Sequence, residues 1–226
     1  MDFSIVIPVH NEEENIRKLY EWINRNLKKF SYEVIVVNDG SSDGTLYELN
    51  KIKDKKWKVL DLKHKGKDYA VYAGIKSAKS DNIVLMDGDL QVDVRDVVKL
   101  WKVYNNSKFD CVVGWRFDRK DGFVKKLSSF VGNSFNNVFF GLKLHDANCP
   151  LKIINRRFFL NVKFIPHFHR FICALIKLQG GKIAEVKVKH LPRLHGKSHY
   201  GVHNRIFGNL VSLFRLKFRN RDIFSN

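Results

Sequence analysis

Short, nearly continuous apolar runs alternate with amphipathic segments along the first half of the chain. The runs are typical of buried strands, and segments in which apolar residues recur every three to four positions are typical of helices. The predicted strands are Phe3–Val9, Glu33–Val37, Trp57–Leu62, Asn82–Met86 and Phe109–Gly114. The predicted helices are one that Asn11 caps and that ends at Lys28 and Lys29, then Asp43–Lys53, Tyr69–Lys79 and a helix near Asp93–Tyr104.

The second half of the chain has a less regular pattern. Helices are predicted over Phe123–Phe140, Phe168–Gln179 and Asn204–Phe218, and Lys182–Val188 alternates like a strand. Strands separated by helices indicate a mostly parallel sheet with right-handed crossovers. Because no internal repeat and no linker rich in Pro, Ser or Gly interrupts the pattern, we expect one α/β domain over residues 1–200, followed by a basic segment, 201–226.

Two carboxylates follow the predicted strand Asn82–Met86. In an extended chain Asp87 and Asp89 share a face, and two such anions repel unless a cation lies between them. Hard divalent cations prefer oxygen ligands, and Gln91 offers a third oxygen. Such a cation would clamp a diphosphate and stabilise it as a leaving group. The alternative is an ordinary polar turn, since Asp and Gly are common turn residues.

Polar residues also follow the first two predicted strands, in the segments Pro8–Glu12 and Asn38–Gly44. Asp39 can accept a hydrogen bond from a nucleotide base, and the amides of the Gly-rich turn favour an anion. Parallel sheets bind ligands at the carboxyl ends of their strands. Three polar strand ends at one edge therefore predict a ligand site.

The net charge of the chain indicates the kind of partner that it binds. A formal charge of +18, with a sequence pI near 9.8, requires an anionic partner: nucleic acid, a lipid surface or a phosphorylated small molecule. The three cysteines, Cys111, Cys149 and Cys173, are too few and too widely spaced for a disulfide framework or a zinc site. A reducing compartment fits them best. No nucleic-acid-binding motif is present, so we predict no nucleic acid partner and keep a basic nucleic-acid-binding protein only as a remote alternative.

The sequence predicts peripheral contact with a membrane. The amino terminus lacks a basic leader region, and no stretch reaches the roughly 18 apolar residues of a spanning helix. Near the carboxyl end an apolar stripe with basic flanks is typical of a helix that lies on a membrane surface. A helix packed on the domain or on a partner subunit is the alternative. The stripe consists of Ile206, Phe207, Leu210, Val211, Phe214 and Phe218.

Several motifs resemble one enzyme family. Ile5–Glu12, Val36–Thr45 and Asp87–Gln91 are similar to the inverting family-two glycosyltransferases of GT-A fold, and among them to the polyprenyl-phosphate sugar transferases, which include dolichyl-phosphate mannose synthase. The resemblance covers residues 3–218. Later segments that carry it are Val112–Arg116, Leu144–Lys152, His169–Phe171 and Pro192–Gly201.

The resemblance implies roles for individual residues. It implies a GT-A sheet and a site for Mg²⁺ or Mn²⁺ formed by Asp87, Asp89 and Gln91. It implies catalytic roles for Asp89, Arg116, Arg193 and Lys197, the last two on a mobile loop over the diphosphate, and acceptor-phosphate contacts for Arg116, Lys125 and Lys126. The residues implied at the nucleotide sugar are Pro8, His10, Glu12, Val37, Asp39, Asp87, Gly88 and Asp89, to which we add Lys67 because it lies beside Gly66 at a strand end.

This chain departs from the family at Asn38, where Asp is usual, and at Val92–Val94, where a Pro-Pro pair is common. Lys125 and Lys126 replace what is commonly Arg, so bidentate contact with phosphate is lost there. The metal carboxylates are retained. The departures therefore affect the acceptor side more than the metal segment.

The predicted reaction is transfer of a sugar from a nucleotide diphosphate to a polyprenyl phosphate, dolichyl or undecaprenyl, on the cytoplasmic face of a membrane. A phosphate acceptor is largely ionised near neutral pH and needs no general base. A membrane-anchoring subunit and a homo-oligomer are both left open. A saccharide or other soluble acceptor is the alternative; it would need a general base, for which Asp146 is the candidate.

Overall fold

The computed structural model of the chain describes residues 1–118, 137–192 and 223–224. Its strands are β1 (Phe3–Val9), β2 (Tyr32–Asp39), β3 (Trp57–Leu62), β4 (Asn82–Leu85), β5 (Cys111–Arg116), β6 (Lys152–Asn155) and β7 (Ile183–Val188). Its α-helices are α1 (Glu13–Leu27), α2 (Thr45–Lys51), α3 (Lys67–Ser77), α4 (Arg95–Asn106) and α5 (Phe168–Leu178), and a 3₁₀ turn covers Arg156–Phe159.

The strands form one seven-stranded sheet in the order β3-β2-β1-β4-β6-β5-β7. Six strands run in the same direction, and β6 runs antiparallel to both of its neighbours. The predicted mostly parallel α/β sheet is therefore confirmed. The sequence pattern missed β6 because it has only four residues, begins with Lys152 and ends with Asn155.

The core lies on both faces of β1 and β2. Nearly every residue of these strands is buried, as a parallel sheet covered by helices requires. Helix α3 packs closely on them at Gly74, where an added Cβ would lie 2.3 Å from Cγ1 of Val6. Fully burying one Val or Ile side chain contributes about 1.5–3 kcal/mol, so these two strands anchor the sheet edge that carries the site.

The start of α1 differs from the prediction. The helix begins at Glu13, and Asn11 does not cap it but has a left-handed φ of 54°. The Asn11 side-chain oxygen accepts a hydrogen bond from the Ser42 amide at 2.8 Å instead. Asn tolerates this backbone conformation better than most residues do. The prediction that Asn11 caps α1 is thus wrong, since this side chain holds the next loop.

The end of the chain returns to the domain. Ile223 is buried, its carbonyl accepts from the Lys163 amide at 2.9 Å, and Phe224 forms an isolated bridge with Val162. The predicted helix Asn204–Phe218 lies outside the described residues. Within the described part of the chain, no helix is both long and apolar enough to cross a membrane.

Candidate active site

The loops after β1 and β2 are held together by hydrogen bonds. The amide of Asn11 donates to the Ser41 hydroxyl at 3.0 Å, and the amide of Glu12 donates to the Thr45 hydroxyl at 2.8 Å. In return, the Gly44 amide donates to the Glu13 carboxylate at 2.7 Å. These reciprocal bonds fix the two loops against each other, and together they form one side of the site at the carboxyl edge of the sheet.

Buried Asp39, at the end of β2, organises the neighbouring loop. Its Oδ1 accepts from the amides of Lys65 and Gly66 at 2.8 and 3.2 Å, and Nδ1 of His64 lies 3.1 Å from its Oδ2. The Asp39 carbonyl lies 2.8 Å from Nδ1 of His10 and 3.0 Å from Nδ1 of His64. A carbonyl only accepts, so both imidazoles donate there.

His10 and His64 consequently lie close together, with ring centroids 4.5 Å apart. Together with Asp39 they have the spacing of metal ligands. The hydrogen bonds to Asp39 already account for this arrangement without a cation. Of the other residues predicted at the nucleotide, Pro8 and Val37 are direct partners across β1 and β2, and Glu12 accepts from the Asn15 side chain at 2.5 Å.

Lys67, the first residue of α3, forms an ion pair with Asp87. Its Nζ lies 2.6 Å from Oδ2 of the carboxylate that follows β4. Burial raises the pKa of Asp87, but the charge of Lys67, helped by His169 and Lys152, outweighs it and lowers the pKa below the ordinary value. Asp87 is therefore held as an anion at neutral pH.

The segment between Asp87 and Gln91 has a constrained backbone. An added Cβ at Gly88 would lie 2.6 Å from Cγ1 of Val9, so the segment approaches β1 closely. Leu90, a bulky residue, has a φ of 60°, which L side chains rarely adopt. Strain of this kind persists only where the surrounding structure imposes it, and it is commonest at functional sites. Asp89 is buried beside it, with Oδ1 accepting from the Gln91 amide at 3.1 Å.

These residues fit a hard divalent cation. Asp87 and Asp89 supply carboxylate oxygens, the ligands that Mg²⁺ and Mn²⁺ prefer. The ammonium group of Lys67 on Asp87 demonstrates that this position already attracts positive charge. The Gln91 backbone is anchored on both sides, since its carbonyl accepts from the Leu191 amide at 3.0 Å.

Residues 190–192 lie alongside the carboxylate segment. Val92 forms an antiparallel bridge with His190, next to the bond between Leu191 and Gln91. The segment that leads to Arg193 and Lys197 therefore starts beside Asp89. Arg193 and Lys197 themselves, like Lys125 and Lys126, lie outside the described residues.

Arg116, at the end of β5, forms a buried two-pronged pair with Asp146. Nε and Nη2 of the guanidinium donate to the two carboxylate oxygens at 2.7 and 3.0 Å. Burial lowers the pKa of Arg116, but the Asp146 hydrogen bonds and charge outweigh it and raise the pKa above the ordinary value. Both oxygens of Asp146 are engaged, which argues against Asp146 as the general base of the alternative reaction.

A third pair of charged or polar side chains, Asp68 and His169, was not anticipated from the sequence. Oδ1 of Asp68 lies 2.5 Å from Nδ1 of His169, and its carboxylate also accepts the amides of His167 and His169 at 3.1 Å each. Asp68 thus holds the start of α5. His169 stood out in the sequence only through its motif, and Asp68 gave no signal at all. Lys152, also missed, is buried with Nζ donating to the Cys149 carbonyl.

Comparisons with known proteins show the family to which the chain belongs. The model of glycosyl transferase family 2 matches residues 4–163. A dodecaprenyl-phosphate galacturonate synthase of Rhizobium johnstonii is 34% identical over 227 residues, which cover 96% of this chain and 67% of the relative. An undecaprenyl-phosphate 4-deoxy-4-formamido-L-arabinose transferase of Proteus mirabilis is 30% identical over 87% of this chain and 62% of its own length. The chain thus spans roughly two thirds of these relatives.

Solved structures share the fold. Mannosyl-3-phosphoglycerate synthase from Rubrobacter xylanophilus matches with a TM-score of 0.73 at 17% identity, over 97% of this chain and 74% of its own. Glucosyl-3-phosphoglycerate synthase from Mycobacterium tuberculosis, solved with Mn²⁺ and UDP-glucose, matches with a TM-score of 0.66 at 20% identity, over 94% and 75%. The fold is that of the GT-A glycosyltransferases, and the chain belongs to glycosyl transferase family 2.

Proposed function

We propose that this chain transfers a sugar from a nucleoside diphosphate to a polyprenyl phosphate at a membrane surface. One observation carries the proposal: Asp87 pairs with Lys67 of α3, and its charge also reaches Arg116 of β5, which Asp146 holds in place. The charge of Asp87 is among those that raise the pKa of Arg116, so all three groups act within one electrostatic site. Such a site suits a reaction between two phosphates.

The nucleotide sugar would bind on the β1–β2 side of the site. Pro8, Val37 and Asp39 lie at adjacent strand ends, and the paired rings of His10 and His64 supply flat surfaces there. Glu12 lies next to them, in the loop after β1. Gly88 permits close approach of the backbone, and Lys67 supplies a cation for the diphosphate.

A divalent cation, Mg²⁺ or Mn²⁺, would be held by Asp87 and Asp89 with Gln91 as a further ligand, and it would supply charge stabilisation for the leaving diphosphate. The residues of the chain do the remaining work. Lys67, and Arg193 and Lys197 once their loop lies over the site, would neutralise the same group and exclude water.

The acceptor phosphate would bind on the β5 side. Arg116 has five N–H donors, and its pair with Asp146 uses two of them, which leaves the others for a phosphate oxygen. Lys125 and Lys126 are proposed as further contacts. Asp146 fixes the guanidinium plane, so the acceptor meets an oriented donor set.

In the proposed reaction an ionised phosphate oxygen attacks the anomeric carbon while the bond to the diphosphate oxygen breaks, with inversion. No proton has to be removed, because the acceptor is already an anion. The protein's task is to hold two like-charged groups in line with the sugar between them. A location at the cytoplasmic face, with or without an anchoring subunit or a second copy of the chain, belongs to this proposal.

The Asp68–His169 pair supports a second candidate, transfer to a hydroxyl of a soluble acceptor. An imidazole oriented by a carboxylate is the usual form of a general base, and His169 lowers the pKa of Asp87 by its proximity. Burial, opposed by Asp68, lowers the pKa of His169 below its ordinary value, so the ring is largely neutral at physiological pH.

One experiment separates the two candidates. The protein is incubated with a panel of nucleotide sugars, with Mg²⁺ or Mn²⁺, and with either a polyprenyl phosphate or hydroxyl acceptors. We expect a lipid-linked product with the phosphate acceptor, lost in EDTA and in Asp89→Ala, and retained in His169→Gln. Transfer only to hydroxyl acceptors, abolished in His169→Gln, would replace the proposal by the second candidate.

A further inference from the structure

Glu185 of β7 holds two consecutive residues that serve opposite sides of the sheet. Its Oε1 accepts the Asp146 amide at 2.7 Å, and its Oε2 accepts the amide and Nδ1 of His145 at 3.0 and 2.8 Å. Asp146 then binds Arg116, whereas the ring of His145 stacks on Trp115 at 4.1 Å. Trp115 and Arg116 are neighbours in a strand, so their side chains point to opposite faces.

The face that carries Trp115 ends in a group of aromatic and basic side chains, which we call the outer patch: half-buried Trp115 and the exposed Phe117, His145 and Lys187. Lys187 is the direct partner of Trp115 across β5 and β7, and its ammonium lies 5.2 Å from the Trp115 ring and 5.6 Å from the Phe117 ring. Phe117 is 57% exposed, and the side chain of His145 is 64% exposed. The patch thus offers large apolar surface and positive charge together.

This combination matches the chemistry of a bilayer surface. Aromatic rings lie at the level of lipid headgroups, and lysines are attracted to anionic lipids. A chain with a net charge of +18 adds long-range attraction to the same surface. The patch also lies at the carboxyl edge of β5, one residue from Arg116, where a lipid-linked phosphate would have to arrive.

We propose that the outer patch docks the enzyme on an anionic bilayer and thereby presents Arg116 at the level of the lipid phosphate. The inference rests on the proposed polyprenyl phosphate acceptor. The carboxylate of Glu185 holds both His145, which belongs to the outer patch, and Asp146, which binds Arg116. The docking surface and the proposed acceptor site are therefore next to each other. The docking surface is part of the folded domain and is distinct from the segment 201–226.

A matched pair of variants tests the proposal in the full chain. Phe117→Ser with Lys187→Gln removes one aromatic ring and one cation from the outer patch. Tyr47→Ser with Lys51→Gln removes the same groups from α2, where Lys51 lies 4.1 Å from the ring of Tyr47, which is 67% exposed. Helix α2 packs by β3, at the opposite end of the sheet order from β7. Sedimentation with vesicles of phosphatidylcholine, with and without phosphatidylglycerol, measures binding.

We expect the outer-patch variant to bind anionic vesicles roughly five-fold or more weakly than the α2 control, since one cation near such a surface alone contributes that factor. Transfer to long polyprenyl phosphate in vesicles should fall in parallel, while transfer to a short, water-dispersed analogue should persist. Equal vesicle binding by the two variants would overturn the proposal. So would a patch variant that binds a protein partner or an oligonucleotide more weakly than the control but binds vesicles as well as the control does.

A second measurement keeps an aromatic ring at position 115. Lipids brominated on their acyl chains should quench the fluorescence of the wild type, the quenching should be lost in Trp115→Phe, and it should remain in Trp22→Phe, whose ring lies on α1. Equal quenching in both variants would also overturn the proposal. If docking depends on the patch but no polyprenyl phosphate is used in any format, the proposed function fails while the docking surface stands.

Discussion

The ammonium group of Lys67 lies 2.6 Å from the carboxylate of Asp87 and joins the start of α3 to the segment after β4. Under the proposed function Asp87 is a metal ligand, so the ammonium group of Lys67 would compete with the metal in the free enzyme and would turn to the diphosphate when substrate binds. The pair therefore has opposite effects on two measurable quantities, the affinity for the metal and the rate of transfer.

Lys67→Met should separate those quantities. We expect Mn²⁺ to bind as tightly as in the wild type or more tightly, because its competitor for Asp87 is gone. The value of kcat should fall by about 10- to 100-fold, because one cation is lost from the leaving group. Calorimetry with Mn²⁺ and steady-state kinetics measure the two. Lys65→Met is the matched control, since that ammonium lies 4.5 Å from the Tyr69 ring; an equal loss there would point to a general charge effect.

Gly88→Ala should impair activity because the added methyl group would clash with the side chain of Val9. The new Cβ would lie 2.6 Å from Cγ1 of Val9, so the carboxylate segment must shift. We expect kcat/KM to fall about ten-fold or more, since small displacements of a positioned group are costly. Adding Val9→Ala removes the opposing methyl group and should restore much of the loss. If the double variant is no better than Gly88→Ala, the close approach to β1 is not what requires glycine.

Arg116→Lys should affect the acceptor more than the donor. The charge stays, but the two-pronged contact with Asp146 and the oriented N–H groups are lost. We expect the KM for polyprenyl phosphate to rise about ten-fold, with little change in the KM for nucleotide sugar. Leaving Asp146 partly unpaired should also cost stability, up to about 3–5 kcal/mol if its pairing is fully lost. Urea unfolding separates this loss from the kinetic effect, and equal changes in both KM values would contradict the assignment.

Asp68→Asn should reduce stability in a pH-dependent way. Burial raises the pKa of Asp68, but hydrogen bonds and charge from His169 outweigh it and lower the pKa below 3.8. The anion therefore stabilises the fold above its unfolded-state pKa, and this stabilisation is lost as pH falls through the lower folded-state pKa. Urea unfolding should show the variant weaker by about 1–3 kcal/mol at pH 7, with the difference shrinking below pH 3.8. A difference that is constant with pH would contradict a stabilising role of the ionised Asp68 carboxylate.

Asp39→Asn tests the organisation of the nucleotide side. An amide oxygen in the place of Oδ1 can still accept both bonds from Lys65 and Gly66, but the NH₂ group then faces Nδ1 of His64 in the place of Oδ2. We expect the KM for nucleotide sugar to rise several-fold more than kcat falls. A contact to the nucleotide stabilises the bound substrate and the transition state equally, so its loss weakens binding and leaves the rate of the bound complex nearly unchanged. Unchanged affinity by calorimetry would exclude Asp39 from the nucleotide pocket.

The strand-end chemistry could be predicted because it is local in sequence. Asp87 and Asp89 follow an apolar run, so the sequence places both just after a strand, at the edge of the sheet where parallel strands bind ligands. The bounds of β1 and β3 followed from apolar runs that turns interrupt at both ends. These features need no knowledge of the rest of the chain.

The pairings that cross the chain could not be predicted in this way. Asp68 and His169 are 101 residues apart, and Arg116 and Asp146 are 30 apart, so only the completed sheet brings them together. A carboxylate with a partner looks the same in sequence as one in a solvated turn. The short strand β6 could not be predicted for a related reason, since its four residues form a strand only through their pairing with β4 and β5 on either side.

The insertion of β6 between β4 and β5 sets the two sides of the proposed site apart. One strand lies between β4, which leads to the carboxylate segment, and β5, which leads to Arg116, so the two groups start about 10 Å apart, two strand spacings. Under the proposed function, substitutions in β5, β7 and the loop that contains Asp146 would exchange one acceptor for another over evolution, while β1 to β4 keep the same activated sugar.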